Sequence, residues 1–183
     1  FQNTQIISKS VGLHADDGAK ITFEDGSIQS GQVNRPGGYG VRSTGNGSVI
    51  NVSGTQFFLA PGSSGSANST SIARAGRNGQ INLDHIQLQY QEHTVDVTKA
   101  GALLYADLGG QILLKNSNLV TNYPSAHGLQ SEECSNEQCS NVSLESSSLT
   151  IGGKNSVGAL LSYGGDITLS ESQSHAKPAL MYD

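Results

Sequence analysis

The sequence predicts an all-β chain, a parallel β-helix with three short strands in each turn and about six to seven turns. Three periodic observations carry that prediction. A small residue followed by a branched apolar one recurs seven times, at Gly12-Leu13, Gly40-Val41, Ser71-Ile72, Ala102-Leu103, Gly128-Leu129, Ala159-Leu160 and Ala179-Leu180. After each of the first six comes an apolar-x-apolar pair: Ile21/Phe23, Ile50/Val52, Ile81/Leu83, Ile112/Leu114, Val142/Leu144 and Ile167/Leu169. Five residues beyond the second member stands one more apolar position, filled by Ile28, Phe57, Leu88, Leu119 and Leu149 and replaced in the sixth unit by Ser174.

The anchor opens the first strand of each unit. The pair defines the second, because Ile-Thr-Phe, Ile-Asn-Val, Ile-Asn-Leu, Val-Ser-Leu and Ile-Thr-Leu alternate with a strand period of two and send both apolar side chains to one face. The lone apolar position marks the third strand. Separated by Gly, Ser, Asn and Asp, such strands bury too little alone and must stack on the next unit. Units of mostly 26 to 31 residues then close as rungs rising about 4.8 Å each, the strand spacing of a sheet. Leucine-rich repeats have a similar unit length, but their L-x-x-L-x-L frame is missing here. A propeller needs four strands per unit and its Trp-Asp signatures.

Composition agrees. Only 5% of the 183 residues are aromatic, none is Trp, and 23 are Gly, which suits a thin aliphatic solenoid core better than a thick globular one. A formal net charge of −5 with ten scattered Lys and Arg argues against nucleic-acid binding, which needs a basic stripe. No apolar run is long enough to span a membrane, so no direct membrane insertion of this segment is expected. Residues 1–183 are read as a single β-helix segment. The seventh anchor starts a unit that the chain does not finish, which suggests a fragment of a longer solenoid.

Cys134 and Cys139 lie in Glu-Glu-Cys-Ser-Asn-Glu-Gln-Cys-Ser, a polar insertion in the fifth unit. A small disulfide ring is the leading reading, contributing about 2 kcal/mol at most. Reduced surface thiols and a zinc site are the alternatives, the second lacking another Cys/His pair at ligand spacing. A disulfide favours an extracytoplasmic home. The ring is expected to protrude from the fifth rung, off the strand columns.

The stretches Gly-Leu-His-Ala-Asp-Asp-Gly-Ala-Lys-Ile-Thr-Phe, Tyr-Gly-Val-Arg-Ser-Thr-Gly-Asn-Gly-Ser-Val-Ile-Asn-Val and Gly-Ala-Leu-Leu-Ser-Tyr-Gly-Gly-Asp-Ile-Thr-Leu resemble the passenger region of bacterial autotransporters, more narrowly the pertactin-like kind. The resemblance spans essentially the whole chain and reports architecture more than identity. It implies a right-handed parallel β-helix, exported through the outer membrane by a C-terminal barrel. It also implies a place at the bacterial cell surface or outside the cell. Close-set cysteines suit the family. Its members include adhesins, self-associating proteins, immune-evasion factors, toxins and proteases, so the fold does not choose among these.

Chemistry-bearing patterns are sparse. Ser63, Ser64 and Ser66 lack the Asp of a Gly-Asp-Ser-Gly nucleophile signature and sit in linker-like sequence. The histidines (His14, His85, His93, His127, His175) fall at unrelated repeat positions. Asp17 and Asp107 read as equivalent positions three rungs, roughly 14 Å, apart by strand spacing, too far for a catalytic pair. Arg35, Arg42, Arg74 and Arg77 show no acidic cluster in register, as a lyase would need. No enzyme activity and no cofactor or metal is therefore expected, with a polysaccharide-degrading enzyme kept as an alternative. Sequons at Asn46, Asn51, Asn68 and Asn141 carry no claim.

The expected function is that of a surface-exposed or secreted adhesin or virulence factor. Its helix is a stalk and its loops, near 32–39, 61–70, 89–99 and 132–140, bind a host protein or glycan. A self-associating surface protein that binds another copy of itself is the alternative from a structural class. Candidate partner-binding residues are Tyr90, Glu92 and His93 in the third loop and Glu132, Glu133 and Glu137 around the cysteines. Register further predicts that Asp84, Lys115 and Glu145 stack on consecutive rungs. The second residue after each anchor should face outward, which places Leu104, Leu161 and Met181, with Leu113 on the next strand, in an exposed apolar strip.

Overall fold

Two columns of left-handed backbone divide each unit into three strands. In the first, Asp17-Gly18, Arg77-Asn78, Leu108-Gly109 and Tyr163-Gly164 all have positive φ, and carbonyl-to-amide bonds such as Asp16–Ala19, Gly76–Gly79 and Asp107–Gly110 close the turns. Two consecutive positive φ values make these type I′ turns, which Gly, Asn and Asp tolerate best. In the second column single residues turn the chain: Asp25, Gly54, His85, Asn116 and Ser146.

A computed structural model of the protein describes residues 1–31, 38–60, 70–91, 101–122, 127–136, 138–152, 157–170, 173–176 and 181–182. In chain order the strands are β1 (Gln5–Ser8), β2 (Val11–Asp16), β3 (Lys20–Glu24), β4 (Ser27–Ser30), β5 (Tyr39–Thr44), β6 (Val49–Ser53), β7 (Gln56–Leu59), β8 (Ser71–Gly76), β9 (Gln80–Asp84) and β10 (Gln87–Tyr90). They continue as β11 (Ala102–Asp107), β12 (Gln111–Lys115), β13 (Asn118–Thr121), β14 (His127–Glu132), β15 (Asn141–Glu145), β16 (Ser148–Ile151), β17 (Val157–Ser162), β18 (Asp166–Ser170), β19 (Gln173–Ala176) and β20 (Met181–Tyr182).

Every strand pairs in parallel with its counterpart one unit away, giving a parallel β-solenoid with three faces. The first face is β2-β5-β8-β11-β14-β17-β20 and the second is β3-β6-β9-β12-β15-β18. The third is divided into β1-β4-β7-β10 and β13-β16-β19. The three faces therefore run unbroken side by side for about four turns rather than the six to seven expected. The break falls beside Tyr90, which continues the column of Ser8, Ser30 and Leu59. A part-buried phenol needs a polar partner at its tip, and Tyr90 donates across the break to Thr121 Oγ1 at 3.3 Å.

The core follows the predicted columns on the second and third faces. Ile50, Ile81, Ile112 and Val142 are buried in one stack and Phe23, Val52, Leu83, Leu114 and Leu144 in the next. Ile28 and Phe57 stack on the third face, as do Leu119 and Leu149 beyond the break. Each such burial contributes about 1.5–3 kcal/mol. Where the ladder is interrupted at the corners, serines of one rung cap amides of the rung before. Gly18 N–H donates to Ser48 Oγ, Ile86 to Ser117, Ser117 to Ser147 and Gly109 to Ser140, at 2.9–3.2 Å.

The first face departs from the anchors by one residue in three units. Leu13 pairs with Val41, Val41 with Ala73, Ala73 with Leu104 and Leu129 with Ala159. The small-then-apolar steps Ser71-Ile72, Ala102-Leu103 and Ala159-Leu160 are thus shifted. Leu104 is fully buried, not outward. Leu161 stands opposite the buried Ser131, in an inward column. Of Leu104, Leu113 and Leu161 only Leu113 faces outward, half-buried between Asn82 and Ser143, so the expected apolar strip does not form. The cause is that the position before the inward residue is buried too. Gly12, Gly40 and Gly128 fill it in three units and Ile72 and Leu103 in two, and a Cβ added at any of these glycines would meet the third strand of its own unit.

The predicted charge ladder has the expected register, Asp84 opposite Lys115 and Lys115 opposite Glu145. Lys115 Nζ binds Glu145 Oε2 at 2.6 Å, a half-exposed pair contributing at most about 1 kcal/mol. Asp84 turns instead to Asn116 Nδ2 and His85 Nδ1, both at 2.9 Å.

A Cβ at Gly40 would lie 2.7 Å from both Phe57 Cδ1 and the carbonyl oxygen of Ile72. Gly40→Val is therefore expected to destabilise the fold by about 1–3 kcal/mol through overpacking. Phe57→Leu added to it should recover part of that loss. Denaturation midpoints of both single variants and the double check this, and strictly additive losses would contradict the contact.

Candidate functional site

The corrected register brings together outward side chains that lie about thirty residues apart. On the first face one outward column runs His14, Arg42, Arg74, Tyr105, Gln130 and Leu160. The next runs Asp16, Thr44, Gly76, Asp107 and Glu132. Tyr39 opens the strand that carries Arg42.

Arg74 is the hub. Its Nη1 donates to Tyr39 Oη at 2.8 Å and its Nη2 to Asp107 Oδ2. The guanidinium carbon lies 5.5 Å from the Tyr39 ring centroid and 5.1 Å from that of Tyr105, within cation–π range of both. Burial by itself disfavours the Arg74 charge. The hydrogen bond and charge of Asp107, with a smaller contribution from Tyr39, outweigh it and hold the proton more tightly than in a free arginine.

Gly76 makes the salt bridge possible by its size. It sits between Thr44 and Asp107 in the second column, and a Cβ there would come 2.4 Å from Asp107 Oδ1. The array continues past Asp107. Tyr105 Oη donates to Glu132 Oε2 at 2.8 Å, and Gln130 Nε2 donates to Glu132 Oε1. Burial first, and the bond to Glu132 second, push the Tyr105 phenol above its ordinary range.

Beside this array a groove of about 410 Å³ is lined by Asp16, Arg42, Thr44, Arg74, Arg77 and Asp107, among others. A second furrow of about 540 Å³ follows the other turn column past Asp25, Thr55 and His85. Its other lining residues are Asn, Gln, Ser, Thr and Gly. Among the described residues no group of three or more His, Cys, Asp or Glu could hold a metal ion.

Sequence reasoning located part of this. Glu132 is a member of the array, at the end of β14 and not in a loop. Glu133 is exposed, with φ of 59°, at the mouth of the cysteine insertion. Tyr90 is half-buried in β10 and engaged with Thr121. Glu92, His93 and Glu137 lie outside the described residues, as do 32–37, 61–69 and 92–99 of the expected loops. The expectation concerned an acidic cluster in register with the arginines; Arg74 meets one carboxylate, Asp107, from the neighbouring column. The position equivalent to Asp107 is Asp16, not Asp17. The repeat anchors of the sequence place Leu104 where Tyr105 belongs, which keeps Tyr39, Arg74, Tyr105 and Gln130 apart until the register is known.

The Cys134–Cys139 disulfide is present, but its ring is not free of the solenoid. Ser135 Oγ donates to Asn78 Oδ1 at 2.7 Å, Gln138 Nε2 to the Gly109 carbonyl at 2.7 Å, and Gln111 Nε2 to the Cys139 carbonyl at 2.8 Å. The ring lies along the turn column of the preceding rungs.

Comparison with protein-family models, with curated proteins and with solved structures finds no match for this chain. The chain is a parallel β-solenoid with its own arrangement of surface side chains, and function is read from those.

Because the phenol of Tyr105 is raised in the folded state, its contribution to stability is intact below its ordinary value of about 10. It is lost as pH rises through the higher folded value. Thermal unfolding of wild type and Tyr105→Phe should diverge in slope above about pH 10, the wild type falling faster. Parallel slopes would contradict the raised phenol.

Proposed function

We propose that this chain is a binding segment of a bacterial surface-displayed or secreted β-helical protein, of the autotransporter passenger kind, acting as an adhesin or virulence factor. The reading is supported chiefly by the Tyr39–Arg74–Tyr105 stack with its tie to Asp107. Aromatic and guanidinium groups held in fixed geometry on a rigid sheet bind a partner at small ordering cost. The recognition face is therefore the first face. The partner is a host or neighbouring-cell protein or glycan.

A hydrolytic reading has one observation in its favour: Asp107 and Glu132 are neighbours in one outward column, about 4.8 Å apart by strand spacing. Asp107 faces Arg74, and Glu132 accepts two hydrogen bonds. Both carboxylates are thus engaged within the array, whereas a hydrolase needs one of the two for the leaving group. Self-association draws on the second face, where Asn82 Nδ2 donates to Asn51 Oδ1 at 2.8 Å in an outward polar column. The first face carries the more ordered chemistry.

Immobilised chain is expected to retain host epithelial cells, and Arg74→Ala to lose most of that retention while Lys115→Gln on the second face keeps it. Retention unchanged by Arg74→Ala in a folded protein would contradict the assignment. Concentration-dependent dimers in sedimentation, abolished by Asn51→Asp, would favour self-association instead.

A further inference from the structure

Arg42 stands between His14 and Arg74 in the outward column. Neighbours there are about 4.8 Å apart along the helix axis, so two guanidinium groups stand side by side in one line. Arg74 is neutralised by Asp107. Arg42 is half-buried and makes no ion pair or side-chain hydrogen bond among the described residues. A partly desolvated guanidinium next to a second one is an unfavourable arrangement until an anion joins it.

We propose that Arg42 is the seat for the carboxylate of an acidic sugar, a uronate unit within a glycan, lying in the groove that it lines with Thr44 and Asp107. This rests on the reading of the first face as a binding face, and names its ligand. The groove, about 410 Å³, falls in the range of small-molecule sites. Its groups match a polyhydroxylated ligand. Tyr39 Oη accepts from Arg74, so its own proton is left to donate. Asp107 Oδ1 accepts no hydrogen bond from a described side chain, since the bond from Arg74 goes to Oδ2, and the Thr44 hydroxyl lines the same wall.

The unpaired Arg42 calls for an acid, and the charge count limits it to a single charge. Six lining side chains are charged: Arg42, Arg74, Arg77, Asp16, Asp17 and Asp107. They sum to zero. One added negative charge is accommodated at Arg42, whereas a densely charged polyanion would meet Asp16 and Asp17 and a protein of net charge −5. A planar carboxylate also fits the guanidinium fork through two parallel bonds.

Calorimetric titration of the whole chain with a galactose trisaccharide carrying one galacturonate unit, its carboxyl-reduced counterpart and the same trisaccharide carrying one sulfate instead tests this. The uronate should bind, with the reduced sugar at least ~10-fold weaker. Arg42→Gln should weaken uronate binding by ~10-fold or more, Arg42→Lys by less, and Lys115→Gln, which removes the same charge elsewhere, not at all. Equal binding of the reduced sugar, insensitivity to Arg42→Gln, tighter binding of the sulfated sugar, or no binding of any of the three would overturn the proposal. Cell retention that still depends on Arg74 in those cases would leave the binding face standing and remove only its ligand.

Discussion

Parallel hydrogen bonding between each strand and its counterpart one unit later holds everything else in place. Such pairing fixes register, and with register fixed every side chain stacks on the equivalent side chain of the next rung. Inward, this produces the Ile and Leu columns of the second face. Outward, it produces rows of polar groups on a rigid support. The pairing itself needs corners where the ladder stops, and corners leave amides unsatisfied. The serines at 48, 117, 140 and 147 satisfy them from the adjoining rung, so each turn depends on its neighbour for hydrogen bonds as well as for apolar cover.

The same constraint explains the recognition face. Tyr39, Arg74 and the strand that carries both Tyr105 and Asp107 are separated by about one unit each, and only stacking makes them neighbours. Gly76 gives up a side chain so that the Asp107 carboxylate can reach Arg74. The array is then ordered before any partner arrives. The disulfide loop obeys the rule as well, because its hydrogen bonds run to Asn78 and Gly109 on the preceding turns. An insertion in a solenoid that packs along the turn column widens one edge of the helix without disturbing the stack.

Alternation made the second strand legible in the sequence: Ile-x-Phe, Ile-x-Val and Val-x-Leu admit one frame only, and all those pairs align as expected. The third strand followed from its constant offset, although β1, which precedes the first anchor, left no periodic signal. The first strand was harder. At Ile72-Ala73 and Leu103-Leu104 both consecutive residues are buried, since the chain turns the corner there and the first side chain points at the third strand. A reader of the sequence cannot tell which of two adjacent apolar residues is the inward one. A slip of one residue inverts the face, and it hid the column in which Arg42, Arg74 and Tyr105 meet. The cysteine pair was legible from its spacing, whereas the seat of its ring depends on contacts across rungs that no local pattern records.

Methyl-to-methyl nuclear Overhauser contacts in a sample labelled at Ile, Leu and Val test the register most directly. A stacked parallel solenoid gives contacts from Ile50 to Ile81, Ile81 to Ile112 and Ile112 to Val142, and on the first face from Leu104 to Leu129. Contacts confined within single units, or Leu103 in place of Leu104 opposite Leu129, would contradict it.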